Sequence, residues 1–150
     1  MSISVQDTAI ELESRISQLL LYSELVEDPF QLSKALLFGV SLQDKVDMEL
    51  LAVERDVYEL LDARVNQLAA STFDAVIVVT TGWAAPLGDD GEVEGKPSEH
   101  PKKRRVRLCV VADKAEAVNI VRFADEPDEP IVDHDSATGS LANAIREFLD

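Results

Sequence analysis

The stretch AVIVV, from Ala75 to Val79, holds five uncharged residues, four of them β-branched, directly after Phe73 and Asp74. So short a run cannot make an ordinary globular helix, and its lack of polar side chains suits a strand buried on both faces. The texture of the chain changes at this point. Upstream, apolar residues return at three- and four-residue intervals; downstream they alternate or fall in short runs between Gly and Pro. The sequence therefore predicts an α+β fold: an N-terminal helical layer of about three helices, then a small antiparallel sheet and a C-terminal helix. The helical part spans 1–72 and the remainder 73–150.

The helical expectation rests on spacing. Val5, Ala9, Leu12, Ile16, Leu19 and Leu20 mark an amphipathic helix. Asp28-Pro29 has the form of an N-cap followed by a first-turn proline. Phe30 to Phe38 is then expected to be a second helix, closed by Gly39 at a C-cap position. Ser41, with Asp44 three residues on, reads as the start of a third. Val46, Leu50, Val53, Val57, Leu61, Val65 and Leu68 step by three or four and draw one stripe along a helix reaching Ala70.

Beyond Val79, Thr80, Thr81 and Gly82 lead into a long loop over 82–103, rich in Pro, Gly and acids. A loop of that length is either functional or disordered, and Trp83 is expected to anchor it on the sheet. Residues 105–111 then alternate, with Arg105, Arg107, Cys109 and Val111 on one face. Asp113 to Glu116 is a tight connection into a strand over 117–123, giving an antiparallel hairpin. Pro127 and Pro130 predict irregular structure, and Ser140 caps a last helix whose face is Leu141, Ala144, Ile145, Phe148 and Leu149.

The chain's 150 residues suit a single domain, 1–150, with one sizeable core. Its net charge of −15 is unevenly spread. Residues 1–73 carry 13 acids and 5 bases, whereas 124–150 carry 8 acids and only Arg146. Lys102, Lys103, Arg104, Arg105 and Arg107 crowd six positions between these acidic segments. One cysteine, Cys109, excludes an internal disulfide and a zinc site on paired thiolates. No run approaches the roughly 20 apolar residues that span a bilayer. The first residues, MSISVQDTAIELES, lack the basic start and apolar core of a secretory signal. A soluble, cytoplasmic protein is expected, away from membranes.

Candidate chemistry is sparse. His100, beside Glu99, could act as a general base, but no nucleophile is identified for it. Asp133-His134-Asp135 offers oxygen and nitrogen ligands without the further histidines that a phosphohydrolase centre needs. The glycines at 88, 91 and 95 do not supply a phosphate-binding loop. No metal or other cofactor is expected. The basic run PKKRRVR (101–107) has the composition of a phosphate or nuclear-localisation patch. The negative field of the whole chain and the lack of adjacent aromatic side chains weigh against direct nucleic-acid binding. Pairing of Arg105 and Arg107 with the protein's own acids at 125–135 is the expected role.

The segments TTGWAAPL (80–87) and PSEHPKKRRVRL (97–108) resemble a block found in uncharacterised small acidic proteins of actinobacteria and their phages. The resemblance covers less than a third of the chain and implies a bacterial or phage cytoplasmic setting. It transfers no catalytic residue.

These features rank the functions. The leading expectation is a non-catalytic, acidic binding or regulatory protein acting on a cationic protein partner, which its field would steer. The alternative is a small enzyme or ligand-binding domain holding an anionic ligand through Trp83, His100, Arg105 and Arg107, since arginines on a strand suit bidentate contacts to carboxylate or phosphate. A third class is a structural subunit of a phage or bacterial complex. Composition sets no oligomeric state.

Overall fold

Residues 75–79 do form a strand buried on both faces, and they lie near the middle of a six-stranded antiparallel sheet. The computed structural model describes residues 5–22, 32, 34–43, 45–84, 102–113, 116–133 and 140–149. Helix α1 (Val5–Tyr22) comes first, then strands β1 (Ala35–Leu42) and β2 (Val46–Glu54) and short helices α2 (Val57–Asp62) and α3 (Arg64–Ala70). Strands β3 (Ala75–Ala84), β4 (Arg104–Ala112), β5 (Ala117–Phe123) and β6 (Glu126–Asp133) follow, and helix α4 (Ser140–Leu149) closes the order. The strands lie side by side as β2-β1-β3-β4-β5-β6.

Helices cover both faces of this sheet, which is why its central strands read as apolar runs rather than alternating ones. On one side Val5, Ala9, Leu12, Ile16 and Leu20 of α1 pack with Ile77, Val79, Cys109 and Ile120. On the other, Leu60 and Leu61 of α2, Ala70 of α3, and Ile145 and Phe148 of α4 pack with Val76, Val78 and Val110. Each fully buried aliphatic side chain contributes roughly 1.5–3 kcal/mol relative to exposure.

The expected three-helix N-terminal layer is not there. Only α1 matches; the segments expected as the second and third helices contain β1 and β2, and helix resumes only in α2 and α3. The physical reason lies in a bulge. Val46, Met48, Leu50 and Val53 of β2 pair with Leu42, Val40, Phe38 and Leu36 of β1, and Leu51 is the extra residue between Leu50 and Ala52. That extra residue returns Val53 to the face of Val46 and Leu50. A four-then-three spacing, the mark of one helix face, thus becomes one face of a bulged strand. β1 is short and buried on both sides, and such a run cannot be told from a buried helix by periodicity.

Gly39, expected to cap a helix, sits mid-strand between Glu49 and Val76. A Cβ there would lie 2.5 Å from Cδ2 of Phe73, so the glycine makes room for that ring. Asp74, next to Phe73, accepts a hydrogen bond from the Leu42 backbone N–H at 2.7 Å and another from Gln43 Nε2, pinning the β1–β2 turn.

The β4–β5 hairpin is as expected, and its connection is held by Asp113 N–H donating to the Glu116 carbonyl at 2.9 Å. The stretch expected to be irregular at Pro127 and Pro130 is the edge strand β6, where an absent N–H is tolerated. Both prolines fall inside a register break, between the pairs Phe123–Glu126 and Val121–Ile131. β3 runs on to Ala84, which places Trp83 on the sheet rather than in a loop. Asp28-Pro29 and most of 82–103 lie outside the described residues. Among the described residues, no helix is long and apolar enough to cross a membrane.

Candidate functional site

Antiparallel pairing lines up side chains across neighbouring strands. On the α1 side, Trp83 of β3 stands opposite Arg105 of β4, and the next row is Thr81, Arg107 and Arg122. A row further along runs through Val79, Cys109 and Ile120. The sheet therefore brings together three of the four residues singled out for an anionic ligand. The fourth, His100, lies outside the described residues, as do His134 and Asp135.

The three residues do not form one open site. Trp83 is flanked by cations: the Arg105 guanidinium carbon lies 3.9 Å from its ring centroid and Lys103 Nζ lies 4.5 Å from it. Such stacking is worth about 0.5–1 kcal/mol when solvent reaches it. Arg107, one row inward, is only 2% exposed and points at α1. There its Nη2 donates to Ser17 Oγ and lies 3.5 Å from Glu13 Oε2.

Glu13 is the centre of this buried seam, at 1% exposure. Arg122 grips it with both nitrogens of one fork edge, Nη2 donating to Oε1 at 2.6 Å and Nε to Oε2 at 3.0 Å. Ser17 donates to the same carboxylate at 3.3 Å. Burial pulls the Arg107 guanidinium below its ordinary range, and the charge of Glu13 opposes that. Arginine still stays charged, so the charge of Glu13 and the hydrogen bonds around it offset its cost of desolvation. The seam ties α1 to β4 and β5, and a buried pair of this kind is by itself weak evidence of net stability.

Arg104 points to the opposite face. Its guanidinium stacks 3.9 Å from the Phe123 ring and donates to Asp125 from Nε at 3.0 Å and to Asp125 and Glu126 from Nη2 at 2.6 Å each. The basic run does pair with the acids that follow it, but through Arg104, whereas Arg105 and Arg107 were expected to do so. Strand alternation explains the exchange. Asp125 follows Phe123, which pairs with Val106 on the face shared by Arg104.

Neither Glu13 nor Arg122 was singled out from the sequence. Glu13 had a visible signal: it lies four residues after Ala9 and three before Ile16, inside the apolar stripe. An acid there must find a buried partner or stay in water. Arg122 carried no comparable mark.

A groove of about 540 Å³ opens at the other end of the sheet, lined by Arg64, Gln67, Leu68, Phe73, Asp113 and Phe148 among others. It includes neither Trp83 nor Arg105. Among the described residues, no group of three or more His, Cys, Asp or Glu side chains is placed to share a metal ion. Comparison with protein-family models, with curated proteins and with solved structures finds no match for this chain.

Proposed function

We propose that the chain is a non-catalytic, acidic binding or regulatory protein that acts on a cationic protein partner in a bacterial or phage cytoplasm. The observation that carries this reading is the commitment of Arg107 and Arg122 to Glu13 inside the fold. The expected anionic site counted on Arg107, whose guanidinium would have to face solvent. With them internal, and Arg104 engaged by Asp125 and Glu126, the net charge of −15 acts outward as an acidic field. Such a field accelerates encounter with a basic surface and repels polyanions.

The anionic-ligand reading keeps one observation in its favour, the Lys103–Trp83–Arg105 stack at the strand ends. One pair of titrations separates the two. Poly-lysine and short oligonucleotides are titrated against the full chain at low salt. The proposal expects salt-sensitive binding of poly-lysine and none of the oligonucleotide. Oligonucleotide binding that is lost in Arg105→Ala would overturn it.

A further inference from the structure

The two edges of the sheet are built differently. β6 is guarded by Pro127 and Pro130 and by its broken register, devices that stop another chain from pairing with it. β2, at the opposite edge, has nine residues and contains no proline, glycine or lysine. Among the described residues no strand pairs with its outer side. Its protection is the bulge at Leu51 and the acids it exposes, which repel other acidic strands but not a basic one.

Apolar side chains stand exposed on that strand and near it. Leu50 and Val53 stand 50% and 40% exposed on the α1 side of the strand. On the other side α2 lies against β1 and β2 and exposes Tyr58. Exposed apolar groups beside an unpaired strand suit strand addition, in which main-chain bonds give affinity and alternate side chains give selectivity.

The charge of β2 selects the occupant. Asp47, Glu49 and Glu54 are exposed on it, and no base lies within the strand. Lys45, just before it, reaches Asp47 at 3.7 Å in an open, easily exchanged pair, and Glu49 and Glu54 add to the acidic edge. A second copy of this chain would set those acids against their own kind, which is destabilising directly across a pair. We propose that the outer edge of β2 takes up an extended basic segment, lysine or arginine alternating with apolar residues, as an added antiparallel or parallel strand. This rests on the cationic-partner reading and names the surface through which it acts.

The test uses the full chain and three short synthetic peptides. The first alternates lysine with valine and tyrosine. The second is the same peptide N-methylated on alternate amides, and the third replaces lysine by glutamate. Binding is followed by fluorescence anisotropy and by hydrogen exchange. The lysine peptide should bind about tenfold or more tighter than its N-methylated form, because main-chain bonds carry strand addition. Slower exchange should appear across 46–54. The surface variant D47K/E49K should reject the lysine peptide and accept the glutamate one, a reversal that an unfolded variant could not give. Protection gained elsewhere, with 46–54 unchanged, would sink the β2 assignment while the cationic-partner reading stood. Failure of every basic probe, poly-lysine included, would remove both. A homodimer dissociated by D47K/E49K would overturn the choice of occupant.

Discussion

Glu13 and Arg122 are 109 positions apart in the chain, yet the carboxylate of one receives two hydrogen bonds from the other, at 2.6 and 3.0 Å. The contact joins the middle of α1 to the fifth strand of the sheet, with Arg107 alongside. It makes the seating of α1 a matter of charge as well as apolar packing, and its loss should be felt well beyond the pair.

Replacing Glu13 by alanine strands two guanidiniums under α1. The expected loss is about 3–5 kcal/mol, the range for breaking a buried pair by removing one partner. Replacing Glu13, Arg107 and Arg122 together with Leu, Met and Met should recover most of it. Urea denaturation of the two variants checks this; a single variant as stable as the parent would show that the seam carries no such strain.

Gly39→Ala should destabilise the fold by roughly 1–3 kcal/mol, the usual penalty of overpacking. The obstacle is the root of the Phe73 ring, with Cγ at 2.6 Å from the added carbon, so a turn of χ2 cannot relieve it. The double change Gly39→Ala with Phe73→Ala should cost less than the sum of the singles. A double-mutant cycle in thermal unfolding gives the answer, and strict additivity would mean the ring does not depend on the glycine.

Asp125 provides the pH test. Its hydrogen bonds from Arg104 hold the carboxyl below its ordinary value of 3.8, against a smaller opposing effect of desolvation. A carboxyl held lower in the folded state than in the unfolded one stabilises the fold above the unfolded value. That contribution disappears as pH falls through the depressed folded value. Because the pair is exposed, salt should weaken it. In a carbon-detected NMR titration, Arg104→Ala should move the Asp125 midpoint upward. An unmoved midpoint would rule out the pairing in solution.

Cys109 reports on the same seam from beneath. Burial pushes its thiol well above the ordinary range, and the nearby charge of Glu13 adds to that, while Arg107 and Arg122 pull the other way. Only the thiolate reacts, so a disulfide reagent should label the native protein slowly and the urea-unfolded protein at once. Glu13→Ala should speed native labelling. Rapid labelling of the parent would contradict the burial of Cys109.

How far the sequence led depends on which signal each element carried. AVIVV, the alternation of Arg105 to Val111 and the faces of α1 and α4 are strong local patterns, and all of them became the expected elements. β1 failed for want of a pattern, being apolar on both sides. β2 did carry one: Val46, Met48 and Leu50 alternate with Asp47 and Glu49. A longer stripe at helical spacing overlies that five-residue signal, because the Leu51 bulge makes it coincide with a strand face. In the site, alternation put Arg105 and Arg107 on one face. It could not say that α1 covers one and leaves Trp83 with the other, because coverage is a tertiary property. Glu13 was legible as an acid inside an apolar stripe; its partner, a long way down the chain, was not.

The distance between Glu13 and its partners also has a meaning in time. A ribosome adding about 5–20 residues per second needs on the order of 5–20 s to pass from Glu13 to Arg122. β1 and β3 are made earlier in that interval, whereas β4 and β5, the strands that bring the two arginines to α1, come only at its end. Glu13, Thr8 and Ser17 along the buried side make the waiting helix less greasy than its aliphatic residues alone would. The buried charge thus sets its own order in synthesis: until β4 and β5 are made, there is no guanidinium to receive the Glu13 carboxylate.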